Sequence, residues 1–184
     1  LKMNEDNLFD IDIAALKRKV INISYISDAS IYRVLPDTLK VNVIQRIPLA
    51  YLSKFGSEWV IDEDCVVMNR KYCMKVRYTL PVINNFKHAS LYSGKNLPQL
   101  KQAVELIKLA TYEFRNFKIY SLDLEDADKI TFVMIRKRRR AYKVIMPRKN
   151  LKRMMIILRE ALAEKKGKYK STIDLTYSEQ AVFR

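Results

Sequence analysis

The spacing of apolar residues changes along the first quarter of the chain. Behind Asp12, a residue type that caps helix N-termini, apolar side chains recur at helical spacing as far as Val20. Residues 29 to 35 and 39 to 45 instead alternate between apolar and polar, as half-buried strands do. The pattern therefore predicts a short helix followed by a β-hairpin.

Prolines mark both ends of the second strand of this hairpin. Pro36 has the backbone angle that suits the second position of a type I turn, and Asp37 can hydrogen-bond the local backbone. Pro48 cannot donate a ladder hydrogen bond, so we expect the chain to leave one sheet there and enter another. We place a domain boundary at this point, which predicts domains over residues 1–47 and 48–184.

The rest of the chain mixes short β segments with two amphipathic helices. Short strands with turns are predicted over residues 58–83, three longer strands over 118–147 and a final β pair over 171–184. Helical spacing predicts a helix of about 18 residues from Leu100 and a second one near residues 149–163. Because strands and helices do not alternate regularly, the predicted fold class is α+β with a mixed or antiparallel sheet.

The charge of the chain indicates the chemistry of its partners. Among 184 residues, 35 are Lys or Arg and 20 are Asp or Glu, which gives a net charge of +15. Such an excess favours nucleic acid, an anionic membrane surface or acidic proteins as partners. Hydrophobic residues make up 49% of the chain, enough to bury a core.

Residues that could carry out catalysis or bind a metal are few. Three glycines do not suffice for a Gly-rich phosphate loop, and His88 is the single histidine. Cys65 and Cys73 lack the further ligands that a zinc site needs. The two cysteines either form a disulfide across a hairpin or are two half-buried free thiols. The acids Asp62, Glu63 and Asp64 suit a β-turn better than an acid–base pair. We therefore predict no enzyme activity, cofactor, metal or small-molecule substrate.

The basic run Arg136 to Arg140, "RKRRR", has two interpretations. Its guanidinium groups could grip phosphates, which makes a nucleic-acid-binding protein the alternative function. The simpler interpretation is a solvated hairpin tip, because no aromatic residues interleave with the run to stack bases.

Several segments together resemble the FtsQ/DivIB family of bacterial cell-division proteins. "NLFDIDIAALKRKV", "WVIDEDCVV", "LPVI" and "STIDLTYSEQAVFR" are similar to the family's patterns in the same order. The longest segment, "ISDASIYRVLPDTLKVNVIQRIPLAYL", is similar to a family motif at Pro36, Thr38, Leu39, Val41, Val43, Arg46, Pro48 and Ala50. The sequence departs from the family at Gln45 (usually Glu), Cys65 (Gly), Thr176 (Arg) and Arg184 (an aromatic residue).

The resemblance implies a fold and a location. It implies that residues 1–47 are a POTRA domain lacking its first strand and helix, and that residues 48–184 are the β domain. It also implies a place on the extracytoplasmic (periplasmic) face of the cell membrane, with one transmembrane helix upstream of Leu1.

The resemblance further implies a non-enzymatic scaffold of the divisome. Such a scaffold would bind FtsB-type and FtsL-type partners by β-strand addition at its last strand, bind other divisome proteins through the POTRA domain, and help control septal peptidoglycan synthesis. The partner-binding residues implied in this way are Thr176, Tyr177, Ser178, Ala181, Val182 and Phe183.

Overall fold

The computed structural model describes residues 8–53, 58–73, 80–87, 90–136, 140–164, 171–177 and 180–184. Over these ranges the chain forms three α-helices and eleven strands, and the strands belong to one sheet of two strands and one of nine. The predicted α+β class is confirmed.

The N-terminal part consists of helix α1 (Ile13–Ile21) and a hairpin of strands β1 (Ile26–Val34) and β2 (Thr38–Gln45). Asp12 caps the helix, since its carboxylate accepts the Ala15 N–H at 2.9 Å. β1 and β2 pair antiparallel from Val34 opposite Thr38 to Ile26 opposite Gln45. The predicted helix and hairpin are therefore confirmed.

The corner of the hairpin lies at Pro36, as predicted, since Val34 and Thr38 on either side of it are paired. The peptide bond between Leu35 and Pro36 is cis. The type I turn stays a prediction.

After Gln45 the chain leaves the hairpin and enters the large sheet, as Pro48 predicted. The strands of this sheet are β3 (Ala50–Leu52), β4 (Trp59–Ile61), β5 (Val67–Asn69), β6 (Val82–Asn84), β7 (Phe117–Asp123), β8 (Lys129–Arg136), β9 (Arg140–Pro147), β10 (Thr172–Asp174) and β11 (Val182–Phe183). Their order is β11-β10-β9-β8-β7-β6-β3-β4-β5. The pairs β3–β6, β6–β7 and β9–β10 are parallel and the others antiparallel, so the sheet is mixed.

Helices α2 (Lys101–Lys108) and α3 (Leu151–Glu164) supply buried apolar residues to the same core as this sheet. The first of them is shorter than the predicted 18 residues, and a π-helical turn, Leu109–Glu113, continues it. The Thr111 hydroxyl donates to the Ile107 carbonyl at 2.8 Å, which is the acceptor that its own N–H would use in an α-helix. The wider turn ends with Phe114 buried in the core.

The core joins the strands β7 to β10 to both helices. Its fully enclosed side chains include Leu106, Leu122, Ile130, Phe132, Met134, Val144, Met155 and Leu158. In the part of the chain that the structure describes, no helix is both long and apolar enough to cross a membrane.

Candidate functional site

The C-terminal β pair forms one edge of the large sheet. β10 pairs parallel with β9 and antiparallel with β11, which is the outermost strand on that side. Arg184 and Thr172 exchange two backbone bonds, Arg184 N–H to Thr172 O at 2.9 Å and Thr172 N–H to Arg184 O at 3.1 Å. Because such pairs alternate along an antiparallel ladder, the N–H of Val182 also faces β10, opposite Asp174.

The last strand is shorter than the resemblance implied, since β11 comprises Val182 and Phe183 whereas the implied partner-binding residues begin at Thr176. The carboxylate of Asp174 accepts the N–H of Thr176 at 3.0 Å and its hydroxyl at 2.7 Å. This local bonding competes with a strand ladder and turns the chain at Thr176 and Tyr177. Ser178 lies outside the described residues.

The side chains of the candidate residues fall into two groups. Tyr177 is 49% exposed, whereas Ala181 and Phe183 are partly buried against the core. Arg184 donates to the Tyr177 hydroxyl at 2.7 Å, and its guanidinium lies 5.7 Å from the centre of the Tyr177 ring. Arg184 stands where the family has an aromatic residue, and here it orients an exposed tyrosine. Sequence reasoning missed this contact, which joins residues seven positions apart.

Asp174 is a buried carboxylate beneath this edge. Burial opposes its ionisation, but the two bonds from Thr176 and the charges of Arg184 and Lys129 outweigh burial and lower the pKa of Asp174. Since its pKa is lower in the folded than in the unfolded chain, ionised Asp174 stabilises the fold above about pH 4, and this contribution is lost as the pH falls further.

Asp174→Asn is therefore expected to flatten the acid limb of the stability curve. The free energy of unfolding of the parent should fall more steeply between about pH 5 and pH 2 than that of the variant. Urea titrations at several pH values measure both curves. Parallel curves would show that Asp174 does not couple folding to protons.

A second polar cluster connects the hairpin to the large sheet. We call Arg46, Asp62 and Asp64 the ionic joint. Nη1 of Arg46 lies 2.6 Å from Oδ2 of Asp62 and 3.0 Å from Oδ2 of Asp64. The side chain of Asp62 is only 4% exposed and that of Arg46 16%, so this pair is largely removed from water.

The acids of the ionic joint hold a turn, as the sequence predicted. The other oxygen of Asp62 accepts the N–H of Asp64 at 3.0 Å and the N–H of Val66 at 2.8 Å. Cys65, within this turn, has a φ of 63°, the left-handed region that favours glycine. The resemblance implies glycine at this position, and this backbone angle is the physical reason for it. In this chain the cysteine adopts the same angle.

Both cysteines are free thiols, so the disulfide alternative is wrong. Cys65 is buried and Cys73 half-buried, and burial raises the pKa of each thiol. Within the described ranges, no three His, Cys, Asp or Glu side chains group in a way that could hold a metal ion.

The two ends of the basic run belong to neighbouring strands of the large sheet. Arg136 closes β8 opposite Arg140, which opens β9. Residues 137–139 and His88 lie outside the described residues.

Three known cell-division proteins are similar to the chain. It is 25% identical over 126 residues to the cell division protein FtsQ of Koribacter versatilis, which covers 67% of this chain and 36% of that protein. It is 31% identical over 68 residues to the cell division protein DivIB of Clostridium tetani, 37% of this chain and 26% of that protein. It is 33% identical over 63 residues to FtsQ of Novosphingobium aromaticivorans, 34% of this chain and 20% of that protein.

No model of a protein family matches the chain. The chain spans 36% of the length of the first of these relatives and less of the other two. The three similarities nevertheless carry the same two protein names that the sequence motifs indicated. They confirm the resemblance at the level of the family: over the matched segments the chain is similar to FtsQ and DivIB cell division proteins.

Proposed function

We propose that the chain is part of a non-enzymatic scaffold of the bacterial division machinery. It binds FtsB-type and FtsL-type partners and helps to control septal peptidoglycan synthesis. Relatives named as cell division proteins support a role in division, and the sequence resemblance supports the choice of partners.

One structural observation carries the proposal, namely the outermost position of β11 in the sheet. An extended segment can add itself to the edge of a sheet through main-chain hydrogen bonds. Alternation along β11 directs the backbone groups of Phe183 away from β10, toward the side on which such a segment would lie.

Tyr177 is the anchor in this proposal. Tyrosine combines a large apolar ring with a hydroxyl, and it is enriched among the residues that dominate binding energies. Nearly half of this side chain is exposed beside the edge, and Arg184 holds its hydroxyl. A ring that is already oriented loses little conformational entropy when a partner packs on it.

The scaffold has a second surface in the hairpin, which we propose as the contact for other division proteins. Val41 and Val43 share one face of β2 and are 44% and 46% exposed, and Leu35 at the corner is 68% exposed. Exposed apolar residues that cluster in this way commonly mark interaction sites. In the same proposal a membrane helix upstream holds the chain at the extracytoplasmic face.

The test is a calorimetric titration of the chain with the extracytoplasmic segment of an FtsB-type partner. Tyr177→Ala is expected to weaken binding about thirtyfold, because loss of a central aromatic residue costs about 2 kcal/mol. Tyr177→Phe keeps the ring and loses only the bond from Arg184, so it should lose much less. Circular dichroism shows whether both variants are folded.

A folded Tyr177→Ala chain that binds as tightly as the parent would remove Tyr177 from the site. A parent chain that does not bind the partner segment would refute the proposed function itself.

A further inference from the structure

A second group of exposed aromatic and basic side chains lies at the other edge of the large sheet. There β5 is the outermost strand, and a 3-10 turn, Arg70–Tyr72, follows it directly. The loop with Tyr92 and Lys95 runs beside the same strand, since the Val67 N–H donates to the Lys95 carbonyl at 2.8 Å. Both loops therefore meet at one place.

A third loop, between α1 and β1, reaches the same place. The ring of Tyr25 stacks on that of Tyr72 with 6.0 Å between their centres. A Cβ added to Gly94 would lie 3.6 Å from the Cβ of Ser24, so the loops touch. We call Tyr25, Arg70, Lys71, Tyr72, Tyr92 and Lys95 the tyrosine–cation patch.

The cations of this patch lie over aromatic rings. Lys71 is 5.9 Å from the ring centre of Tyr72, and Lys95 is 5.4 Å from that of Tyr92. Arg70 lies 5.3 Å from the ring centre of Tyr51 on strand β3, which is two strands away from β5 in the sheet. Such contacts hold long side chains in place while their charges stay at the surface.

The patch keeps a positive charge. Residues 58–73 contain four acids, and three of them bind cations elsewhere: Asp62 and Asp64 bind Arg46, and Glu63 binds Lys108 at 2.6 Å. Glu58 remains beside Arg70, whose N–H donates to its carbonyl. Three cations therefore face one acid at this edge.

The tyrosines are more exposed than folding alone would favour. Tyr72 is 57% and Tyr92 58% exposed, although each has a large apolar ring that could be buried. Tyrosine rings beside lysine and arginine are the side chains that settle at the headgroup level of a membrane, with the apolar ring inward and the polar tip in water.

We propose that the tyrosine–cation patch binds the surface of an anionic phospholipid membrane. Its cations contact lipid phosphates, and Tyr72 and Tyr92 enter the headgroup layer. The cations come from two loops, Arg70 and Lys71 from one and Lys95 from the other. This arrangement suits a surface that offers phosphate at every position, whereas a peptide would need its acids in one matching order. The net charge of +15 adds long-range attraction to such a surface.

This inference goes beyond partner binding and can fail independently of it. β5 and β11 lie at opposite edges of the sheet, so the membrane surface and the proposed partner site do not overlap. A variant of one should leave the other intact.

The test measures partitioning of the chain onto vesicles of phosphatidylcholine with about one third phosphatidylglycerol. The parent should bind them, and should bind neutral phosphatidylcholine vesicles much more weakly. Changing Arg70, Lys71 and Lys95 together to Gln should weaken binding at least tenfold, since each cation near an anionic leaflet contributes about a fivefold gain. Tyr72→Ser with Tyr92→Ser should weaken it severalfold without changing the charge.

The matched control removes the same charge elsewhere. Lys118, Lys143 and Lys149 are exposed and lie outside the patch, so their joint change to Gln should cost less than threefold. Equal losses for the two triple variants would show attraction by net charge alone and overturn the patch. The proposal would also be overturned if the parent bound neutral and anionic vesicles equally well, or bound neither. Binding of an acidic peptide or a nucleic acid would not rescue it.

Discussion

Replacing Arg46 by alanine is expected to lower the free energy of unfolding by about 3 kcal/mol. Arg46 carries the positive charge of the ionic joint, and its partner Asp62 is almost fully buried. The variant would leave the Asp62 carboxylate in the interior with two backbone N–H groups and no cation. A buried charge that loses its partner costs far more than the net contribution of the intact pair.

Urea unfolding of the parent and of two control variants isolates this effect. Lys17→Ala breaks an exposed ion pair, 3.5 Å from Asp28, and should change stability by less than about 1 kcal/mol. Asp64→Ala removes the exposed acid of the joint, so its cost should also be small. If Arg46→Ala were as stable as these controls, the ionic joint would not hold the hairpin to the sheet.

Replacing Val182 by proline is expected to release β11 from the sheet. The Val182 N–H faces Asp174 across the ladder, and proline has no N–H to donate. A lost ladder bond that leaves a buried acceptor unpaired costs about 2 kcal/mol. Because β11 is only two residues long, one lost bond removes a large share of its pairing.

Hydrogen exchange reports this release directly. The Thr172 amide, which donates to the Arg184 carbonyl across the same ladder, should lose its protection in the Val182→Pro chain. Val182→Ala shortens the side chain but keeps the backbone donor, so Thr172 should stay protected. The proline variant should also lose binding of an FtsB-type segment. A protected Thr172 amide in Val182→Pro would contradict the pairing of β10 with β11.

Local chemistry made the helices, the hairpin and the turns predictable. Asp12 caps α1, and the acids at 62 to 64 form a turn. The apolar residues of 151 to 162 form the buried face of α3, as their spacing indicated. These interactions connect residues within a few positions of each other, so both partners can be recognised in one short segment of the sequence.

The predicted lengths of two elements were wrong because a side chain competed with the main chain for a backbone hydrogen bond. The family resemblance implied a last strand that includes Thr176, but the carboxylate of Asp174 binds Thr176 and turns the chain. The helix from Leu100 changes its pitch where the Thr111 hydroxyl takes the Ile107 carbonyl. In both cases a polar side chain hydrogen-bonds a backbone group that would otherwise bond to the main chain of a regular helix or strand.

The sequence by itself determined the α+β class, the order of the elements and the resemblance to FtsQ/DivIB, because all three follow from local spacing and motif order. Only the tertiary structure decided which strands lie at the two edges of the sheet, that Arg46 meets Asp62, and that Tyr25 stacks on Tyr72. These contacts join residues from 16 to 47 positions apart. Their formation depends on how the whole core packs, a condition that no local pattern of residues encodes.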